Sequence, residues 1–505
     1  MIKNHFKKMR QAVIKKQVFL LIAIIFLGLI LRINKWMFYS LWYDEVCFLL
    51  ASKNISLLKE ASAFFLKPQL FALFLFIWQK ISTNEFFLRI PSLIAGVLSI
   101  ITTYIIGKWF VDKKTGLIAG AITAIIPLHI YYAQEIGYYT ITVLTASLSM
   151  IFFWMSIKKD EWRFWIPYIL VTLIGIFINY LCLLILYVQF VFILIVFCKK
   201  KIIISKALLA QAIVFIIFLP FAKYFLVSSL LLMNSSMQFY HWFPAGNMQY
   251  IFQTFNVFNL GYHASKQMYY FGAGVFSVLF LDGIWVLRKE FNKLLLLLLW
   301  LFLPLIAILI MGHIFFIPMY THRNLIFSSV PYYIIIASAI GKLPQRYARC
   351  VLLIAIFSIS VSLYNLYFNI LHTSEFPYRP GIHTKKDHRS TVEYVMQYYK
   401  DGDMIRHVCY NTFLPFAYYL TYKKHVLNRN TYSVLLTDEQ QLDNLGEKCN
   451  RLWLIYSSWE MQRDKSIEVI KQKCDERFFL LNVRRFEGID VYLYDISLSS
   501  NGNRR

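Results

Sequence analysis

Apolar residues recur along this chain in runs of about 20, the length at which a helix crosses the hydrocarbon core of a bilayer, from Val18 to near Ile370. Helical runs are expected near 18–33, 87–107, 117–132, 138–157, 162–178, 181–198, 207–226, 268–287, 294–311, 324–341 and 350–370. Only helices and closed barrels satisfy their backbone in lipid, and the strict alternation of barrel strands is absent. The pattern predicts an all-α polytopic membrane protein with about 11 transmembrane helices. The first run lacks a small-residue cleavage site and is expected to be retained. A further apolar run, 69–78, is too short to cross and follows Lys67-Pro68, so it is expected to lie in the outer interface.

Beyond His372 the pattern changes. A helical stretch at 388–400 precedes the turn signal Asp401-Gly402-Asp403, and strand-like runs follow at 404–410, 451–456, 478–483 and 490–494. Helix-like stretches lie between them near 412–421 and 459–473. Such alternation predicts a small C-terminal α/β domain. The expected organisation is a membrane domain over 1–370 and a soluble domain over 371–505.

Composition agrees with this division and charge orients it. The 505 residues are 58% hydrophobic and 18% aromatic, with a mean hydropathy of +0.54. The net charge of +25 is concentrated in the membrane part, where residues 1–370 hold 32 Lys and Arg against 10 Asp and Glu. Twenty-two of these cations lie in six short segments: 3–16, 108–114, 158–163, 199–206, 288–293 and 342–349. The positive-inside rule makes that side cytoplasmic, with the N-terminus on it and the C-terminal domain outside. The cation excess is then a matter of topology, with no nucleic-acid partner implied. Seven scattered cysteines without a CxxC pair imply neither zinc nor a disulfide framework, although a Cys449–Cys474 bridge is possible.

With the sides assigned, the unusual polar residues share the outer face. Tyr43-Asp44-Glu45 lies in the first outer loop, with Lys67 further along it. Arg89 opens the second span, Gln134-Glu135 ends the third, and His322-Arg323 precedes the tenth. Each cation alone reads equally as a snorkelling anchor, but acids gain nothing from anionic headgroups. A lipid-linked phosphate needs Lys or Arg to hold its oxygens, and a hydroxyl nucleophile needs a carboxylate to take its proton. The set is sufficient for moving a sugar from a polyprenyl phosphate donor to a hydroxyl.

Several motifs in the same order resemble the GT-C membrane glycosyltransferases of the protein O-mannosyltransferase and aminoarabinose-transferase kind. They are Leu41-Trp42-Tyr43-Asp44-Glu45, Lys67-Pro68, Glu85-Phe86-Phe87-Leu88-Arg89-Ile90-Pro91-Ser92 with Gly96, Tyr131-Tyr132-Ala133-Gln134-Glu135, and Tyr320-Thr321-His322-Arg323 before Pro331. The resemblance implies Asp44 as general base with Glu45 beside it, and Lys67 and Arg323 on the donor phosphate. It also implies substrate-binding roles for Tyr43, Arg89, Gln134, Glu135 and His322, and inversion at the anomeric carbon. Two departures stand out. Leu66 replaces a glutamate that binds zinc in the aminoarabinose transferases, and Ile136-Gly137 replaces Ala-Arg, so one expected cation is missing.

No metal site is expected, although Asp44 and Glu45 leave a divalent cation open as a cofactor. The rival reading is a transporter or lipid flippase, which calls for polar breaks at the bilayer midplane; the runs here are almost uniformly apolar there. A non-catalytic assembly factor is a third reading, and it leaves the outer-face charges without a shared task.

Overall fold

Each expected apolar run overlaps helix among the described residues of the computed structural model, which are 2–36, 38–53, 69–197, 201–234, 247–314, 320–368, 370, 386–422, 432–434, 449–457 and 465–499. Lys67 and the His241-Trp242-Phe243-Pro244 stretch lie outside the described residues. The helices that matter below are α1 (Ile2–Ile33), α2 (Tyr43–Lys53), α3 (Gln69–Ile81), α4 (Glu85–Phe110), α5 (Lys113–Ile125), α6 (Pro127–Ala133) and α7 (Tyr139–Lys159). After them come α8 (Trp162–Ile178), α9 (Leu183–Phe197), α10 (Lys201–Asn234), α11 (Met248–Leu260), α12 (Lys266–Leu287), α13 (Phe291–Ile314), α14 (Ser329–Lys342) and α15 (Gln345–Phe368). By length and composition, six stretches of the described residues can cross a membrane, or seven if a bent pair counts as one span. Helices such as α8 and α14 are apolar but shorter.

The chain divides into two compact units: residues 1–36 with 51–381, and residues 37–50 with 382–505. The second includes the segment that leads into α2, so the Asp44 loop folds as part of the C-terminal unit.

In the first unit one expected span is broken. The run at 117–132 is not a continuous helix: α5 and α6 meet at a bend of 58°. The cause is Pro127. Its ring pushes Ile126 to an extended conformation (φ −64°, ψ 125°). It also has no N–H for the carbonyl of Thr123, four residues back. Arg32, fully buried in the last turn of α1, supplies the missing donors. Its guanidinium reaches the Thr123 carbonyl at 3.0 Å and those of Ala124 and Gly28 at 2.9 Å. An arginine inside an apolar span thus completes the hydrogen bonding that a proline elsewhere removes.

Gly261 ends α11 against this break. Its φ of +67° disfavours any side chain, and an added Cβ would lie 2.9 Å from Pro127 Cβ and 3.3 Å from the Leu128 nitrogen. Gly261→Ala is expected to destabilise the protein by about 1–3 kcal/mol, read as a lower melting temperature in detergent.

The second unit contains a five-stranded sheet in the order β2-β1-β3-β5-β4. The strands are β1 (Asp403–His407), β2 (Tyr432–Val434), β3 (Arg451–Tyr456), β4 (Phe478–Phe486) and β5 (Ile489–Ser499). β1 pairs in parallel with β2 and β3, while β5 runs antiparallel to β3 and β4. Among the described residues, helices α16 (His388–Tyr398), α17 (Tyr410–Tyr422) and α18 (Lys465–Arg477) accompany it. The central strand β3 is buried on both faces. Leu452, Leu454 and Tyr456 join the cluster around Cys474, and Trp453 meets Tyr394 of α16. The short strand β2 is absent from the sequence reading. Cys449 and Cys474 are both free thiols, so the bridge considered above does not form. Cys474 is instead buried among apolar neighbours, which pushes its thiol up to about 12.

Candidate active site

The sequence-derived candidates fall into two groups, one in each unit. The first is the acidic turn. Trp42 caps α2: its carbonyl accepts from the Val46 N–H at 3.1 Å, and its own N–H donates to Glu45 Oε2 at 3.1 Å. That second bond is the return half of a capping box, with glutamate at the third helical position. Glu45 is fully buried, whereas Tyr43 and Asp44 are half-buried at the start of the helix. Both acids occupy the first turn, where the helix dipole favours negative charge.

The second group follows the α5–α6 break. Pro127 turns the chain so that Tyr131, Tyr132, Gln134 and Glu135 are all buried at the end of α6. Gln134 has a structural task. Its amide donates to the carbonyls of Arg32 at 3.0 Å and Asn34 at 2.8 Å, which the end of α1 leaves without helical donors. Arg89, 1% exposed, does the same for the Trp36 carbonyl at 3.0 Å. Two residues expected to bind substrate therefore also fix the segment that leaves α1.

Around Glu135 lies a tyrosine cluster that sequence reading covered only in part. The hydroxyls of Tyr132 and Tyr262 are 3.1 Å apart, and the Tyr132 and Tyr139 rings are 4.8 Å apart. The Arg323 guanidinium sits 5.6 Å from the centre of the Tyr139 ring, in cation–π range. Burial pushes the Tyr262 phenol upward; the Tyr132 hydrogen bond and the Arg323 charge oppose this, and Glu135 adds to it. One hydroxyl thus senses both the acid and the cation. Tyr262 follows Gly261, and its only sequence signal was a glycine beside aromatic and histidine residues.

His322 completes the cluster, its ring 6.0 Å from Tyr262 and 6.4 Å from Tyr320. It is 3% exposed, and neither ring nitrogen has a hydrogen-bond partner among the described residues. The same holds for Gln134 Oε1. Burial lowers the His322 pKa to about 4, so at neutral pH the ring is uncharged, with one donor and one acceptor nitrogen. Buried polar atoms of this kind suit a hydroxyl-bearing ligand.

Two more histidines are buried in the C-terminal unit. Burial, with the Arg406 charge adding to it, holds His407 at about 3; burial, then Lys386 and His407, keep His388 well below the usual value. A histidine neutral when folded but free to protonate near 6.5 when unfolded binds fewer protons in the native state. Its stability contribution is complete above pH 6.5 and is lost as pH falls towards the folded value. The melting temperature is therefore expected to drop as pH is lowered from 6.5 to about 4, measured on the full chain in detergent.

Among the described residues no group of three or more His, Cys, Asp or Glu is placed to hold a metal ion.

Apolar helices, one span of them broken, and a small α/β unit give this chain a GT-C-like fold. Residues 66–224 match the family model described as dolichyl-phosphate-mannose-protein mannosyltransferase. ArnT from Cupriavidus metallidurans in the apo state is similar in structure, with a TM-score of 0.54 at 12% identity, covering 97% of this chain and 99% of that one. ArnT bound to undecaprenyl phosphate gives 0.53 at 11%, with the same coverage. The oligosaccharyltransferase AglB from Archaeoglobus fulgidus, in complex with an inhibitory peptide and a dolichol-phosphate, gives 0.55 at 9%, covering 94% of this chain and 74% of that one. No curated protein matches the chain. The resemblance to GT-C enzymes read from the short motifs is thereby shown, and at these identities the structural likeness concerns the fold.

Proposed function

We propose that the protein is an integral membrane glycosyltransferase that moves a sugar from a polyprenyl-phosphate donor to a hydroxyl acceptor on the extracytoplasmic face. The Asp44 carboxylate takes the proton of the acceptor hydroxyl as its oxygen attacks the anomeric carbon. The bond from that carbon to the phosphate oxygen breaks, and polyprenyl phosphate leaves with the bonding pair. Arg323, and Lys67 in the first outer loop, hold the phosphate oxygens, where positive charge stabilises the departing group. Glu135, Gln134 and His322 bind hydroxyls of the sugar or the acceptor, with Tyr43 and Arg89 contributing near the entry to their respective helices.

The observation that carries this reading is the buried set Gln134, Glu135 and His322 beside Arg323. It occurs in a fold whose relatives include proteins solved with undecaprenyl phosphate and dolichol-phosphate. The count of cytoplasmic cations supports an outer location for these residues and for the C-terminal domain.

The test is a strain lacking the protein. Lipid extracts analysed by mass spectrometry are expected to accumulate a polyprenyl-phosphate-linked sugar, cleared by the wild-type protein and not by Asp44→Asn. Ion-coupled transport by the purified protein in vesicles, with no lipid-linked sugar accumulating in the strain, would replace this reading by that of a transporter.

A further inference from the structure

We propose that the C-terminal α/β domain is the scaffold that positions Asp44, acting through Ser40 and Tyr419; this rests on the reading of Asp44 as the base. The residues entering α2 have no regular secondary structure of their own, yet Ser40 and the Leu41 backbone are held from a distant part of the sequence. Ser40 Oγ donates to the Lys386 carbonyl at 2.7 Å and accepts from the His388 N–H at 2.9 Å. The Leu41 N–H donates to the Tyr419 hydroxyl at 2.7 Å. The Trp42 N–H then closes on Glu45, and the helix carrying Asp44 begins.

These anchors are buried. Leu41 and Tyr419 are fully buried, and Ser40 and His388 are 2% and 1% exposed, so water does not replace a lost bond. Residues 386–388 lead into α16, whose first turn is capped by the Asp387 side chain on the Ser390 N–H at 3.1 Å. The Asp387 N–H is itself fixed to the Glu487 carbonyl in the β4–β5 hairpin at 3.0 Å. Tyr419 projects from α17, which packs against β1 and α16. The base is thus set by two helices and a hairpin rather than by its loop. Proton abstraction needs hydrogen-bond reach, and a displacement near 1 Å lowers a rate by about 10²-fold.

Ser40 and Tyr419 are positioning residues, and a kinetic split tests them. The full-length protein is assayed with the polyprenyl-phosphate sugar that accumulates in the deletion strain. Ser40→Ala and Tyr419→Phe are expected to lower kcat by about 10–100-fold with KM for the donor unchanged. Ser40→Thr, which keeps the hydroxyl, is expected to restore most of the loss. Asp403→Ala, which loosens the same domain without touching residues 40–42, serves as the control and is assayed below its melting temperature.

Unchanged kcat in both variants, with Asp44→Asn inactive, would overturn the positioning role and leave the base intact. A rise in KM alone, or an equal loss of kcat in Asp403→Ala, would overturn it too, since a general loosening would then suffice. Wild-type rates in Asp44→Asn would instead remove the base, a separate failure.

Discussion

Asp44→Asn is expected to lower the rate of sugar transfer by about 10²–10⁴-fold, the range that a positioned general base contributes. Asparagine has the same shape and keeps the first turn of α2, but its amide cannot accept the proton of an attacking hydroxyl. The two acids of the turn differ in burial. Glu45 is fully buried, with one oxygen committed to the Trp42 N–H, while Asp44 is only half-buried. The bond to Trp42 gives Glu45 the cap, and the proposed function gives the proton to Asp44. Single-turnover transfer and equilibrium binding of the lipid donor check the prediction together, because a lost base slows the chemical step and leaves donor binding unchanged. Wild-type transfer by Asp44→Asn would require another base.

Asp403→Ala is expected to destabilise the C-terminal domain by about 3–5 kcal/mol, the loss seen when one partner of a buried ion pair is removed. Asp403 is 3% exposed and sits at the start of β1, opposite Arg451 of β3. Its carboxylate accepts from Arg451 Nε at 2.7 Å and Nη2 at 2.5 Å, from the Trp453 indole at 2.8 Å and from the Lys400 N–H at 2.9 Å. Alanine leaves the arginine charge, the indole and a backbone donor without this acceptor at one point. Asp403→Asn keeps part of the hydrogen bonding and is expected to lose less. A melting curve of each variant in detergent compares them, and a loss below 1 kcal/mol for alanine would mean that the domain relaxes around the site.

The membrane part was legible because its signal is additive. Twenty apolar residues in a row specify a helix whatever their neighbours. The tail was legible for a related reason. The turn at Asp401-Gly402, where Gly402 takes φ +93°, and the apolar strands near 451–456 and 490–494 are local features. The three-residue strand β2 is too short to carry a pattern, and it exists because β1 offers it an edge. The continuous span at 117–132 failed at Pro127, where hydropathy counts a proline but not the hydrogen bond it removes.

The candidate site was legible as a list of residues and not as an arrangement. Asp44, Glu135 and Arg323 stand out as charges beside apolar runs, and short motifs around them were enough to suggest a sugar-transferring family whose model matches part of the chain. The division of labour among them was not readable. Gln134 and Arg89 look like ligands, yet their donors satisfy carbonyls at the end of α1. Arg32 drew no expectation, yet it completes the broken span. Tyr262 carried only a neighbouring glycine as a signal and Tyr419 none, since each acts on a partner more than 100 residues away.

The sequence by itself determined that this is a helical membrane protein with a small α/β tail, and which ionisable residues are candidates for its chemistry. Those properties depend on composition and short-range periodicity, which survive without knowledge of contacts. Only the tertiary structure decided that the Asp44 turn is folded into the C-terminal unit through Ser40 and Tyr419. It alone decided that Gln134 serves a helix end and that His322 is buried with no hydrogen-bond partner among the described residues. The physical reason is the same in each case. A buried donor or acceptor must be satisfied by whatever group the fold brings within 3 Å, and sequence distance carries no information about which group that is.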